Sequence, residues 1–238
     1  MDFTILFNSR GRVRLLKEML SSIEQTAFNL DDIEVLVNFD TDDYESLQNL
    51  PAIKEQFPFM KEFINPRELN IHINVNKMAF KAKGKYIWAL GDDCHIQTAH
   101  WDKIAKGKFE EYFMHYPDRV AMGAVESTSV DKNVEHMWYT DAPILTKEGR
   151  DALGFLIHPH FISLGADVAT YLIYHKINRI IDMKDISFDH VTHNTLQKVV
   201  NPDRTAAEYR QRQNKVQRID PWNHDYSADI ERIKRQLT

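Results

Sequence analysis

Apolar and polar positions alternate along the first hundred residues in a pattern that predicts strands and helices in turn. Apolar runs at 3–7 and 33–39 have the length expected of buried strands. Between them, apolar residues recur at helical spacing over 15–23 and define one helix face. Further apolar runs predict a third strand at 71–75 and a fourth at 86–90. This order predicts a mainly parallel sheet with helices on its faces.

The second half of the chain is less regular but still contains recognisable patterns. An amphipathic helix is expected over 101–113, ending before Pro117, and another helix begins near Thr146, whose hydroxyl can cap the first turn. The remaining predicted elements are a strand at 120–125, a helix at 167–176, a strand at 179–188 and helices at 203–216 and 227–237. We therefore expect an α/β catalytic domain over 1–200 and a helical C-terminal extension over 201–238.

Composition narrows the class of protein. The chain has 238 residues, of which 43% are hydrophobic and 27% charged, as in soluble globular proteins with a sizeable core. The formal net charge is −5, which does not suggest nonspecific coating of nucleic acid. Residues 198–238 nevertheless carry +3, so this tail is where an anionic partner would dock. With no signal-like or membrane-spanning run, we expect a cytoplasmic protein.

Charged and polar residues follow three of the predicted strands. The first strand is followed by Ser9, Arg10 and Arg12, the second by the acidic cluster 40–43, and the fourth by the pair at 92–93. Ligands of open α/β sheets bind outside the carboxyl ends of the strands, so these side chains are expected to share one crevice. Adjacent carboxylates repel, and a divalent cation would relieve that repulsion. Hard oxygen ligands suit Mg²⁺ or Mn²⁺, which substrate phosphates commonly complete.

Several segments together resemble one family. The segments "ILFNSRGR", "IEVLVNFDTDD" and above all "AKGKYIWALGDDCHI" look like the glycosyltransferases of the GT-A fold, whose metal motif is Asp-x-Asp or Asp-Asp. Further on, "APILTKEGRDALG", "GADVATYLIYHK" and "DISFDHVTHN" look like the acceptor half of the same enzymes. The resemblance covers about residues 3–200. It implies a Rossmann-like mixed sheet, a nucleoside-diphosphate sugar donor and a Mn²⁺ or Mg²⁺ cofactor.

The resemblance also implies roles for individual residues. Asp93 would bind the metal with His190 as a further ligand, and Asp167 would be the general base of an inverting reaction. Asp92 would bond the ribose or support the metal, and Asp40 would lie beside the nucleoside. The residues assigned to the donor nucleotide are Ser9, Arg10, Arg12, Asp40, Lys77 and Asp92.

The sequence departs from the family pattern at two places. Gly91 stands where many members have the first Asp of the metal motif, and Ala166 precedes Asp167 where a Glu-Asp pair is common. The Gln-x-x-Arg-Trp signature of processive synthases is absent, which favours transfer of a single sugar. The single Cys94 is interpreted as a small core residue beside the site.

Other assignments stay open at the level of sequence. His190 and His193 cannot both bind one ion on an extended segment, and His190 is preferred because it follows the strand. Trp138 and Tyr139 fit an apolar acceptor platform, and core packing explains them at least as well. The acceptor is a glycan or, given the basic tail, a hydroxymethylated DNA base as in some bacteriophage enzymes of this fold. The rival functions are a nucleotidyltransferase and an inactive nucleotide-binding module.

Overall fold

A computed structural model describes residues 1–128, 140, 142–162, 165–190 and 220–237. The strands within these ranges are β1 (Phe3–Ser9), β2 (Ile33–Asp40), β3 (Met60–Asn65), β4 (Tyr86–Ala89), β5 (Cys94–Ile96), β6 (Met122–Ser127), β7 (Ile144–Thr146) and β8 (Ile180–His190). The α-helices are α1 (Val13–Thr26), α2 (Tyr44–Gln56), α3 (His72–Ala79), α4 (Trp101–Phe113), α5 (Lys147–Leu153), α6 (Ala166–Lys176) and α7 (Ser227–Lys234).

The strands form one sheet in the order β3-β2-β1-β4-β7-β6-β8-β5. Strand β1 pairs in parallel with β2 and β4, and β2 pairs in parallel with β3. Strand β7 runs antiparallel to both β4 and β6, and β6 is parallel to β8. Strands β1 to β4, β6 and β8 therefore point the same way, and their carboxyl ends lie along one edge. The predicted mixed, mainly parallel sheet is confirmed.

Helices cover both faces of the sheet because the strands are apolar on both sides. One face packs on α1, α2 and α4, which contribute Leu16, Ile53 and Phe109 to the core. The opposite face packs on α3, α5, α6 and α7, with Met78 and Ile173 among the fully buried residues. The amphipathic helix predicted at 101–113 is α4, with the predicted bounds. Thr146 caps α5 as expected, since its Oγ1 accepts the Gly149 N–H at 3.0 Å.

The predicted third strand at 71–75 is wrong, because these residues begin helix α3. The helix buries Asn74, Val75 and Met78, at helical spacing, whereas Ile71 and Ile73 are each 36% exposed. The apolar alternation of this segment therefore does not match its buried face. The third strand is Met60–Asn65, at the edge of the sheet, where a single neighbouring strand leaves a mixed burial pattern. The three-residue strands β5 and β7 were not predicted.

The last described segment packs back on the domain. Tyr226 and Ile233 are buried in the core on the side of α5 and α6. Arg232 donates to the Leu153 carbonyl at the end of α5 at 2.7 Å, and lies 3.5 Å from Asp229. The predicted helix at 227–237 is α7, and that at 203–216 lies outside the described residues, as does the proposed boundary at 200. The division into a domain and an extension stays a prediction.

None of the helices in the described part of the chain combines the length and the apolar character that crossing a lipid bilayer requires.

Candidate functional site

The residues singled out from the sequence gather at the carboxyl edge of the sheet. Ser9 and Asp40 are the last residues of β1 and β2, the 92–93 pair lies in the turn after β4, and His190 is the last residue of β8. Strands β1 and β2 are neighbours, and so are β1 and β4, so their polar ends are brought together by the parallel pairing. Two groups of one arginine and two aspartates result.

The first group, the inner arginine cluster, consists of Arg12, Asp92 and Asp93. Arg12 precedes α1 and its Nη1 lies 2.9 Å from Asp92 Oδ1 and 3.4 Å from Asp93 Oδ2. Ser9 donates its hydroxyl to Asp92 Oδ2 at 2.9 Å. The side chains of Asp92 and Asp93 are only 6% and 11% exposed. Both oxygens of Asp92 thus have protein partners, and Arg12 supplies a positive charge between two buried carboxylates.

The two carboxylates of the inner cluster have opposite pKa shifts. Burial raises the pKa of Asp92 to about 6, the charge of Asp93 adds to this rise, and Arg12 opposes it. Burial also acts to raise the pKa of Asp93, but the hydrogen bond and charge of His190, together with Arg12, outweigh it and lower the pKa. Asp93 is therefore the carboxylate that stays ionised most readily, as a metal ligand must.

A possible metal site lies on the far side of Asp93 from Arg12. Asp93 Oδ1 lies 3.5 Å from His190 Nε2. Two atoms at this separation can both lie about 2.1 Å from one ion. One ligand atom each from Asp93, Cys94 and His190 lies within 4.8 Å of the other two. The donor set of oxygen, nitrogen and sulfur fits a divalent cation.

A side chain at position 91 would meet the carboxylate of Asp93 in this turn. A Cβ at this position would lie 2.4 Å from Asp93 Oδ1 and 3.5 Å from Cys94 Sγ. The first distance is impossible without displacing the carboxylate. The departure from the family motif at Gly91 therefore leaves the space in which Asp93 Oδ1 lies.

The second group, the outer arginine cluster, consists of Arg10, Asp40 and Asp42. Arg10 binds both oxygens of Asp42, at 2.5 and 3.1 Å, and lies 3.3 Å from Asp40 Oδ2. The side chain of Asp42 is 51% exposed. The hydrogen bond from Arg10 lowers the pKa of Asp42, whereas burial raises the pKa of Asp40 despite the opposing charge of Arg10.

Two other predicted residues lie on helices rather than at strand ends. Lys77 is on α3, half exposed, with its Nζ 2.9 Å from Glu68 and 3.2 Å from Asn74. Asp167 is in the first turn of α6, where a carboxylate is favoured by the helix dipole. Their roles in donor binding and proton transfer stay predictions. The alternative ligand His193 and the suggested platform at 138–139 lie outside the described residues.

Sequence reasoning gave too little weight to four residues of this edge. Asp43 caps α2 through the Ser46 N–H and also accepts the Gly11 N–H at 3.0 Å, joining the first two strand ends. Its position three residues before Ser46 at a helix start was the available signal. Asp42 and Cys94 left no comparable signal, because their importance depends on contacts with distant segments. The importance of Gly91 depends on the conformation of the turn at 91–94.

Comparison of the sequence with family models and with curated proteins gives no match. Solved structures do match the fold. TarS of S. aureus superposes with a TM-score of 0.62 at 13% identity, covering 90% of this chain and 42% of TarS. The mannosyltransferase PcManGT of Pyrobaculum calidifontis, solved with GDP-Man and Mn²⁺, gives 0.61 at 16% identity, covering 98% and 68%. GalNAc-T7, solved with UDP, GalNAc and Mn²⁺, gives 0.61 at 13%, covering 99% and 54%.

These likenesses confirm the predicted GT-A fold. The chain spans less than half the length of TarS and about half that of GalNAc-T7. A piece of TarS, residues 1–349, has also been solved with UDP and with UDP-GlcNAc. At 11–16% identity the likeness concerns the fold, and the chemistry has to be argued from this chain's own residues.

Proposed function

We propose that this protein is a glycosyltransferase that moves one sugar from a nucleoside-diphosphate sugar to an acceptor hydroxyl and depends on a divalent cation. The observation that carries the proposal is the convergence of Arg12, Asp92, Asp93 and His190 at the carboxyl edge of a GT-A sheet. Ligands of α/β sheets bind at this edge. The neighbours of the same fold that were solved with UDP, UDP-GlcNAc or GDP-Man support a nucleotide sugar as the ligand.

The protein residues would divide the work according to their position. Asp93 Oδ1 and His190 would hold Mn²⁺ or Mg²⁺, and such an ion supplies positive charge opposite a leaving diphosphate. Arg12 holds Asp93 through Oδ2 and so would fix the orientation of the ligand oxygen. Asp92, whose oxygens bind Ser9 and Arg12, would support this arrangement. Of its two suggested roles, supporting the metal is the one that its contacts favour.

The donor nucleotide would lie across the ends of β1 and β2, where Arg10, Asp40 and the N-terminus of α1 provide polar groups. Asp167 would remove a proton from the attacking acceptor hydroxyl, and attack from the face opposite the leaving group would invert the anomeric centre. The acceptor is proposed to be a glycan or a hydroxymethylated DNA base. In the described C-terminal helix α7, Arg232 and Lys234 already lie near Asp229 and Glu231 respectively. The motivation for a DNA acceptor therefore rests on Arg235 and on the cations between 198 and 218.

A thermal-shift titration tests donor and metal binding together. The protein is mixed with UDP, GDP, UDP-GlcNAc or GDP-Man, each in Mn²⁺ or in EDTA. At a ligand concentration 100-fold above Kd, the melting temperature should rise by roughly 5–10 °C. The rise should be larger in Mn²⁺, and Asp93→Asn should lose this metal-dependent part. Glu62 of β3 forms an ion pair with Lys54 of α2 at the protein surface. Glu62→Gln is therefore the matched control and should retain the metal-dependent rise.

Product analysis separates the rival functions. A glycosyltransferase releases nucleoside diphosphate, whereas a nucleotidyltransferase releases pyrophosphate. Asp167→Asn should abolish transfer while donor binding persists, and full activity in this variant would contradict the base assignment. Transfer to a glycan but not to hydroxymethylated DNA would exclude the DNA acceptor. Nucleotide binding that is equal in Mn²⁺ and EDTA, and equal in Asp93→Ala, would favour the inactive binding module.

A further inference from the structure

The candidate metal site contains a sulfur atom as well as oxygen and nitrogen. Cys94 is the only cysteine of the chain, and it is 2% exposed. Its Cα is paired with that of His190 across the antiparallel strands β5 and β8. Directly paired residues of antiparallel strands project from the same face, with Cβ atoms about 4.5–5.5 Å apart. The register of the sheet thus brings the thiol beside the imidazole.

The turn before Cys94 directs the carboxylate and the thiol toward the same space. The Cys94 N–H donates to the Gly91 carbonyl at 3.2 Å, and the Gly91 N–H donates to Cys94 Sγ at 3.3 Å. Arg12 holds Oδ2 of Asp93, which leaves Oδ1 on the side of His190. The missing Cβ of Gly91 creates the space that both ligand atoms border. An N–H donor also favours a sulfur that carries negative charge.

We propose that Cys94 Sγ is a third protein ligand of the divalent cation, so that this centre favours thiophilic cations such as Zn²⁺ and Co²⁺ over Mg²⁺. The inference rests on the proposed function, because it concerns the same cation. Ligand atoms of Asp93, Cys94 and His190 that lie within 4.8 Å of one another provide the geometry. Thiolate and imidazole are ligands that suit Zn²⁺ and Co²⁺, whereas Mg²⁺ requires oxygen ligands and retains water.

The competing interpretation is that Cys94 is a small apolar residue of the core. Cys94 does belong to the larger hydrophobic cluster on the α1 side of the sheet, and buried cysteines commonly have that role. The two interpretations differ in one measurable respect. A core cysteine forms no bond to the cation, whereas a ligand forms a metal–sulfur bond with its own electronic absorption.

Titration of the metal-free protein with Co²⁺ tests the bond directly. A sulfur-to-cobalt charge-transfer band in the near ultraviolet should grow to one equivalent in the wild-type protein. Because the chain has a single cysteine, the band can be assigned to Cys94 without further labelling. Cys94→Ser should lack the band and lose at least about 10-fold in Zn²⁺ affinity, with Mg²⁺ affinity changed much less. Ser21→Ala, on α1, is the control with an intact ligand set.

The outcomes separate this inference from the proposed function. Co²⁺ that raises the melting temperature without producing the band would overturn the sulfur ligand and leave a cation site of Asp93 and His190. Failure of every divalent cation to bind the wild-type protein would contradict both proposals. If Cys94→Ser does not fold, the wild-type spectrum decides, because it requires no variant.

Discussion

The inner and outer arginine clusters have the same composition but different surroundings. Each pairs one arginine of the loop after β1 with two aspartates at the end of a neighbouring strand. The aspartate side chains are 6% and 11% exposed in the inner cluster, against 15% and 51% in the outer one. The clearest difference in burial is at Asp42, and the inner cluster also has two partners that the outer one lacks, because Ser9 binds Asp92 and His190 lies 3.5 Å from Asp93. Burial and these partners together distinguish the two similar ion-pair groups.

The difference has a physical basis in solvation. An exposed ion pair gains little because water already stabilises both charges, and such pairs contribute about 0–1 kcal/mol. A buried pair has lost that solvation, so each charge depends on its partner, and removal of one partner costs about 3–5 kcal/mol. In the inner cluster, Arg12 faces two buried carboxylates that repel each other. Its removal should leave Asp92 with the Ser9 hydroxyl and Asp93 with His190, and neither carboxylate would keep the arginine charge that lies between them.

Replacing each arginine by methionine tests this difference in stability. Arg12→Met should lower the free energy of unfolding by about 3–5 kcal/mol, and Arg10→Met by about 1 kcal/mol or less. Methionine retains most of the apolar length of the side chain, so the change is mainly one of charge. Urea unfolding in EDTA at neutral pH measures both values. Equal losses in the two variants would show that burial does not distinguish the clusters.

The second prediction concerns the backbone on which the inner cluster depends. Gly91→Ala would place a Cβ 2.4 Å from Asp93 Oδ1, so the carboxylate must move and Mn²⁺ affinity should fall by about 10- to 100-fold. Gly107→Ala is the matched control, because its Cβ would have no atom within 4 Å. Gly107 lies within α4, where alanine stabilises a helix by about 0.5–1 kcal/mol more than glycine does. Isothermal titration with Mn²⁺ compares the variants, and unchanged affinity in Gly91→Ala would contradict the role of this glycine.

The strand ends could be predicted from the sequence, whereas the distinction between the two clusters could not. Runs of apolar residues located β1, β2 and β4, and the rule for parallel sheets then placed Arg12 and Asp92 at one edge. The spacing of Arg10 and Arg12 does not reveal which side chain is buried. That outcome depends on α1, which begins at Val13 and directs the preceding residue, Arg12, toward the end of β4.

The error at the third strand has a related cause. An alternating run such as Ile71, His72 and Ile73 satisfies the strand pattern locally, but tertiary packing buries a helical face of the same segment instead. Strand β3, the actual third strand, shows weak alternation of buried and exposed residues because it lies at the edge of the sheet, beside β2. Likewise, the proximity of Cys94 to His190 arises from pairing between strands nearly a hundred residues apart, which a single sequence does not reveal.

The third prediction uses the raised pKa of Asp92, which is about 6 in the folded protein against 3.8 ordinarily. Between these two values the folded state binds a proton that the unfolded state does not. Lowering the pH from 7 to 4 should therefore increase the contribution of Asp92 to stability, by no more than about 1.4 kcal/mol per pH unit for one proton. Asp92→Asn should lack this contribution.

Melting temperatures of wild type and Asp92→Asn, measured in EDTA between pH 7 and 4, give the comparison. The wild type should gain stability relative to the variant as the pH falls through 6. The lowered pKa of Asp93 has the opposite consequence, since its contribution is lost only as the pH falls below the ordinary value. The contribution of Asp92 to stability therefore changes between about pH 6 and the ordinary pKa of 3.8, whereas that of Asp93 changes below 3.8. A difference that is constant, or that grows toward pH 7, would mean that Arg12 and Ser9 stabilise the ionised form of Asp92 enough to outweigh its burial.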